Sequence, residues 1–481
     1  MARILALLEG GALFIAVSAM TFFWLRPLIF DWLDLAGLLG QVTVLSFCCV
    51  VAFYYNDLYD LRVVRSFGAF VPRLLQAFGV AFILLAGFYA LFPETRLAEG
   101  PFVSTLVILV CLLLPLRAAT YALMRRGPFV ERVLVLGTSP LAQRLVREIE
   151  AQPQFRYAVV GVVDDAPPAD DAGFPCPFLG PLQRLGKIIE ETNPHRILVA
   201  LAERRGRLPI RDLFDARVLG IQVEDAVDVY ERLTGKLPLE SLVPSHLIFS
   251  EGFRPSPLDL ALSRALSLAI SAVGLVATLP LFGLVALAVK LDSAGPMFFR
   301  QARVGMGGRP FVLIKFRTMH PTDSETTLWV KDNTERITRV GKWLRKFRLD
   351  ELPQFVNILR GDMNLVGPRP HPVDNFQLLA ERAPYYALRA MVRPGVTGWA
   401  QVRFGYANTV EEEIEKVCYD LFYIKHLSVW FDLWIIADTV KVVAFGHGAT
   451  ATDARPLDLP APARPSTAER RAAVSHRGAD R

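Results

Sequence analysis

The chain has 481 residues, 52% of them hydrophobic, with a mean hydropathy of +0.34, which excludes an ordinary soluble protein and implies two or three domains with membrane segments. Five scattered cysteines with no C-x-x-C pair and seven histidines with no H-x-x-x-H spacing exclude a disulfide scaffold or zinc site, leaving a hard cation such as magnesium as the metal to expect. A net charge of +6 and a pI near 9.1 suit nucleic acid, an anionic membrane surface or a phosphorylated substrate equally, so the position of the charge must decide.

Residues 4–25, 33–55, 74–92 and 102–123 are four apolar runs, each of about 20 residues, the length that spans a bilayer core. Arg62, Arg65 and Arg73 follow the second run and Arg125 and Arg126 the fourth, so positive-inside bias puts both ends of a four-helix bundle in the cytoplasm. A strand at 132–136, a helix and a second strand ending at Asp164 and Asp165 then read as a βαβ opening. Its turn, Gly137 to Ala142, is a degenerate G-x-G-x-x-A with Ser139 in place of the second glycine. Two readings stay open there: a sensed nucleotide, or a Rossmann-like structural or regulatory module.

Residues 230–257 are proline-rich and read as a linker with short strands. A fifth apolar stretch, 258–291, is flanked by Arg254 and Arg264 on one side and by Lys290, Arg300, Arg303 and Arg309 on the other. Positive-inside bias wants both flanks on one face, and Pro280 supplies the bend, so the segment is expected to enter the membrane, turn and leave where it entered, with Thr278 as a partner for the freed carbonyl. A kinked spanning helix is the alternative.

Residues 297–319 read as a β-hairpin around Gly305, Gly307 and Gly308. Between 300 and 349 there are twelve Lys or Arg against four acids, which favours phosphate binding by Lys315, Arg317 and Arg345 over a purely solvated surface. The basic run leads to RLDELPQFVNILRGDMNLVGPRP, in which Asp350 and Glu351 precede a helix able to start at Pro353 and stop at Gly361. At a helix N-terminus a carboxylate is kept ionised and phosphate is attracted, although Asp350 could also be only an N-cap. Downstream, Trp430 and Trp434 lie four apart on a helix, suiting either a membrane-interface face or core packing. From His447 onward the composition is that of a disordered tail.

The stretches GPMFFRQARVG, FVLIKFRTM, RLDELPQFVNILRGDMNLVGPRP and RPGVTGWAQV together resemble the bacterial sugar transferases, in particular long-form monotopic polyprenyl-phosphate glycosyl-1-phosphate transferases of the exopolysaccharide and exosortase-associated type. The resemblance implies a membrane protein in five parts: four transmembrane helices (1–127), a Rossmann-like domain (128–229), a linker (230–256), a mainly α catalytic domain with a re-entrant helix and a short hairpin (257–446), and a tail (447–481). It implies transfer of a sugar 1-phosphate from a UDP-sugar to polyprenyl phosphate, releasing UMP, at the cytoplasmic face of the bacterial inner membrane and without a nucleic-acid partner. Asp350 matches the nucleophile and a ligand of Mg²⁺, Glu351 its partner, Arg345 and Arg369 the phosphate-binding residues, Lys315 the basic residue of the KFR motif, and Pro280 the helix-breaking proline. Monomer and homo-oligomer both stay open. Two rivals are a membrane-anchored NAD-dependent sugar-nucleotide dehydratase or epimerase, and a non-catalytic polysaccharide-assembly scaffold. The first is weakened because no tyrosine has a lysine four residues on.

Overall fold

The computed structural model describes residues 32–56, 67–93, 130–152, 157–167, 174–239, 255–320, 335–383, 385–405 and 409–445, with a few isolated positions. The expected spans at 4–25 and 102–123, and the tail from 447, lie outside them. The chain divides into two compact units, Met1–Ala226 and Val227–Arg481.

In the first unit, two apolar helices, α1 (Trp32–Tyr55) and α2 (Phe67–Leu91), pack through Leu45, Ala52, Phe53, Leu74, Ala77 and Ala81. They cover the second and third of the expected runs. The α/β part holds β1 (Glu131–Leu136), α3 (Pro140–Ala151), β2 (Tyr157–Val163), β3 (Phe178–Gly180), α4 (Leu185–Thr192), β4 (Arg196–Val199), α5 (Ile210–Val218) and β5 (Gln222–Asp225). The five strands are parallel, in the order β3-β2-β1-β4-β5, which puts the switch point between β1 and β4, where such sheets bind ligands.

That crevice is already occupied by the chain's own groups. Asp164 at the end of β2 takes hydrogen bonds from Thr138 N and Oγ1, both at 2.8 Å, and Arg207 donates to it at 2.7 Å. Ser139 caps α3 through Ala142 N and donates to Ala200 O at 2.6 Å. A carboxylate therefore sits where a pyrophosphate would need the free donors of the turn, and a serine in the second glycine position closes the approach from β4. Gly137 has φ +110°, and a Cβ there would lie 2.7 Å from Ala200 O.

The second unit opens with α6 (Ala226–Thr234). Its end was expected to be linker, but Glu231 is buried and bonded to Lys425 at 2.7 Å, Lys236 pairs with Glu415, and Gly235 O accepts from Trp399 Nε1. Buried ion pairs to distant residues hold this segment, which local composition does not reveal.

The apolar stretch is two helices, α7 (Pro257–Ala277) and α8 (Leu279–Asp292), broken at Thr278 and Pro280. The Thr278 hydroxyl donates to Gly274 O at 2.6 Å. The polarity of α7 is inverted: Ser263, Ser267 and Ser271 are its buried side chains, whereas Leu258, Leu260, Leu262, Val273 and Val276 are exposed. Water would not favour that arrangement, and hydrocarbon would. Arg264, expected as a flanking charge, instead spends its guanidinium on Ile358 O and Met363 O, both at 2.8 Å. Among the described residues two helical segments are long and apolar enough to cross a membrane, Phe70–Leu91 and Pro257–Ala277.

The hairpin follows as β6 (Phe298–Val304) and β7 (Pro310–Phe316), antiparallel, with Phe299 opposite Lys315 and Arg303 opposite Phe311. Then come α9 (Arg339–Lys346), a 3₁₀ turn (Leu349–Glu351), α10 (Gln354–Arg360), β8 (Asn364–Val366), α11 (Val373–Arg382), a 3₁₀ helix (Tyr386–Met391), β9 (Gly395–Thr397), α12 (Trp399–Arg403), α13 (Val410–Lys425) and α14 (Val429–Phe445). The two tryptophans of α14 part ways: Trp434 packs 5.3 Å from Trp399, while Trp430 is 78% exposed.

Candidate active site

Three local devices build the site. The first is a reversal at Arg348, whose φ of 56° and ψ of 19° are left-handed and uncommon for a side chain with a Cβ; it ends α9 and swings Asp350 and Glu351 inward on the 3₁₀ turn. The second is Asn357, fully buried on α10, which donates to Val312 O at 2.8 Å and accepts from Ile314 N at 3.1 Å, so the helix after the carboxylates is tied to the strand that carries Lys315. The third is the β8–β9 crossing: a Cβ on Gly367 would lie 2.5 Å from Arg393 O, so glycine lets the two backbones meet and delivers Pro368-Arg369-Pro370 to the site. Val304 N donates to His371 O at 3.0 Å, bringing the hairpin against the same loop.

These devices bring Lys315, Arg345, Asp350, Glu351 and Arg369 to one cavity of about 220 Å³. Arg303, Arg348, His371, Gln401, Glu413 and Lys416 line it too, and sequence reasoning did not single them out as site residues. Six cationic side chains face three carboxylates there, a balance that favours a polyanionic ligand. Arg317 is elsewhere. It is buried and donates to Ser293 O at 2.6 Å and Ala294 O at 2.9 Å, so it holds the end of α8 rather than facing the cavity. Pro280 lies at the helix break.

The adjacent carboxylates have unlike surroundings. Glu351 accepts from Arg369 at 2.9 Å and lies 3.4 Å from Arg348. Burial opposes its ionisation, but Arg369 and Arg348 outweigh that and hold its carboxyl below the usual range. Asp350 accepts no hydrogen bond among the described residues. Burial and then Glu351 push it up to about 6, against the pull of Lys315, Arg345 and Arg369. Asp350 was expected at a helix start or as an N-cap; it lies instead on a separate 3₁₀ turn before α10 and caps nothing, and burial is the largest cause of its raised value. Burial, with Arg303 beside it, lowers Lys315 to about 8.

Beside the cavity runs an apolar groove of about 110 Å³ lined by Leu352, Phe355, Val396, Val402, Val442 and Val443. It shares Arg348, Glu351 and Gln401 with the polar cavity. For a metal, the described residues offer no group of three or more His, Cys, Asp or Glu. Magnesium commonly uses one or two carboxylates and completes its shell with water and substrate phosphate, and Asp350 with Glu351 fit that donor set.

A cation-lined cavity holds two differently tuned carboxylates beside an apolar groove, in a chain with membrane-length helices. Comparison with known proteins narrows the class. Residues 258–446 match the family model described as bacterial sugar transferase, and residues 55–209 match one described as a CoA-binding domain. A UDP-glucose:undecaprenyl-phosphate glucose-1-phosphate transferase of Klebsiella pneumoniae is 31% identical over 388 residues, 76% of this chain and 80% of that protein. A UDP-N-acetylgalactosamine-undecaprenyl-phosphate N-acetylgalactosaminephosphotransferase of Aeromonas hydrophila is 38% identical over 233 residues, 48% of this chain and 54% of its own. An exopolysaccharide production protein of Rhizobium leguminosarum bv. phaseoli is 37% identical over 190 residues, 38% of this chain and 95% of its own. The chain belongs to the bacterial sugar transferase family. It spans 54%, 66% and 60% of the length of three of the curated relatives that it matches.

Proposed function

We propose that this protein transfers a sugar 1-phosphate from a UDP-sugar to undecaprenyl (polyprenyl) phosphate, giving polyprenyl-diphospho-sugar and UMP, as the first membrane step of exopolysaccharide assembly. The observation that carries this reading is the division of labour in the carboxylate pair: Glu351 is anchored by Arg369, whereas Asp350 is unbonded and faces the cations. An unanchored carboxylate is a nucleophile in waiting.

In the first step an Asp350 oxygen forms a bond to the sugar-bearing phosphorus, and the bond from that phosphorus to the UMP oxygen breaks. Lys315, Arg345 and Arg369 face the charge that builds on the phosphates, and UMP leaves with the electron pair. In the second, an oxygen of the lipid phosphate attacks the same phosphorus and frees the Asp350 carboxylate. Two steps keep the two anionic substrates from meeting directly. Mg²⁺, held by Asp350 and Glu351 with the donor's phosphates, would neutralise further charge. The apolar groove suits the first isoprenes of the acceptor, whose phosphate would then reach the cavity at Arg348 and Gln401.

The inverted polarity of α7 and the break at Pro280 support a re-entrant α7–α8 unit, and the four apolar runs with their flanking arginines support four further spans in the inner membrane with the catalytic unit on the cytoplasmic face. Exposed Trp343 and Phe347 on and after α9 suit the headgroup region. Incubation with UDP-sugar alone tests the chemistry: a stoichiometric burst of UMP and a phosphosugar adduct on the Asp350 peptide are expected. Intersecting initial-rate lines without an adduct under trapping would refute it.

A further inference from the structure

In the cavity that holds the carboxylate pair, one buried acceptor oxygen has nothing to accept from. Glu413 on α13 is 7% exposed; its Oε1 lies 3.4 Å from Lys416 Nζ, and its Oε2 has no hydrogen-bond partner. Facing that oxygen, at 3.7 Å, is His371 Nε2, too far for a hydrogen bond.

The tautomer of His371 follows from what stands behind it. Arg389, ion-paired with buried Asp420 at 2.7 Å, donates from Nη1 to the Tyr386 hydroxyl at 2.6 Å. A guanidinium cannot accept, so the tyrosine's own hydrogen is free to go only to His371 Nδ1, 2.7 Å away. The imidazole hydrogen is thereby assigned to Nε2, on the side of Glu413. Burial keeps the ring neutral, far below the usual histidine range. Burial opposes the Glu413 charge, but Lys416, with Arg389 behind it, holds the carboxyl below the usual carboxylate range. A donor and an acceptor thus face each other 3.7 Å apart with no hydrogen bond between them.

We propose that Glu413 and His371 are positioning residues that clamp one hydroxyl of the UDP-sugar donor, which accepts from His371 Nε2–H and donates to Glu413 Oε2. A phosphate oxygen is excluded, since it has no hydrogen to give and would meet the Glu413 charge. The clamp therefore holds the polyol part of the donor against one wall of the cavity while its phosphates lie among the cations at the carboxylate pair. Two hydroxyl-bearing parts of a nucleotide sugar have this chemistry, the hexose and the ribose.

The inference rests on the proposed function, and the test separates the two. Wild type, Glu413→Gln and His371→Leu are assayed with whichever UDP-hexose the enzyme turns over, with its singly deoxygenated hexose analogues, and with the 2′- and 3′-deoxyuridine donors. At one position deoxygenation should cost wild type about 10- to 100-fold in kcat/KM for UMP release. At that position the penalty should shrink towards one-fold in both variants, as expected of a coupled pair. A hexose position identifies the clamp as sugar-selective, and a ribose position identifies it as nucleoside-selective; either supports the proposal. If every deoxy penalty persists in full in both variants, or Glu413→Gln matches wild type with all donors because only water fills the gap, the clamp is wrong. Should one variant fail to fold by circular dichroism, the other carries the test. Loss of the Asp350 adduct in wild type would instead strike the proposed function.

Discussion

The raised position of Asp350 makes a kinetic prediction whose sign is fixed by the structure. A nucleophilic carboxylate must be ionised, so kcat/KM for UMP release, which reports the free enzyme, should have an acidic limb at about pH 6 rather than near the ordinary aspartate value of 3.8. Below it the rate should fall about tenfold per pH unit. The displacement corresponds to roughly 3 kcal/mol against the ionised form. Burial is its largest cause and Glu351 the next. Glu351→Gln removes a neighbouring negative charge, favours the ionised form and should move the limb down by about 1 pH unit, the least expected of two carboxylates that share a site. Arg345→Gln removes a stabilising cation and should move it up. Stopped assays of UMP release from pH 4.5 to 8, at donor concentrations well below KM, resolve all three limbs. A wild-type limb below pH 4.5, or an upward shift in Glu351→Gln, would refute the reasoning.

The same displacement reaches stability. Because the folded-state value of Asp350 lies above its unfolded value, its charge destabilises the fold, fully above about pH 6 and not at all well below 3.8. Asp350→Asn should therefore raise the thermal midpoint at pH 7.5, lose that advantage as the pH falls towards 4, and drop turnover by about 10³-fold or more. Val402→Glu, placing a charge in the apolar groove, should raise KM for polyprenyl phosphate at least about tenfold while the UMP burst from UDP-sugar alone persists; loss of the burst would contradict the assignment of the groove to the acceptor. Arg317→Gln should lower the thermal midpoint, through the carbonyls it abandons at the end of α8, with donor KM within about twofold of wild type; a KM increase above about tenfold in a stably folded variant would return Arg317 to the phosphate site.

What the sequence made legible was local. Pro353 and Gly361 bracket a helix found at Gln354–Arg360, Pro280 marks a break between two apolar helices, and the βαβ opening is the centre of a parallel sheet. Helix signals depend on residues a few positions apart, so they survive without the fold. The rest of the site was hidden because its parts are distant in sequence: Arg303 comes from the hairpin, His371 from the loop after β8, and Glu413 and Lys416 from α13. No spacing rule joins residue 303 to residue 416. Nor could the chain reveal that Arg317, two residues from Lys315, turns to backbone carbonyls while Lys315 faces Asp350, since both carry the same kind of charge. The carboxylate pair makes the same point more sharply. Asp350 and Glu351 are neighbours of nearly equal intrinsic acidity, and Arg369, brought up by the glycine-tight crossing of β8 and β9, leads Arg348 in pulling Glu351 below its ordinary range while burial lifts Asp350. Chemistry that needs one anchored and one reactive carboxylate is therefore written in two places: the residue types in the motif, and the asymmetry in a loop that begins sixteen residues later.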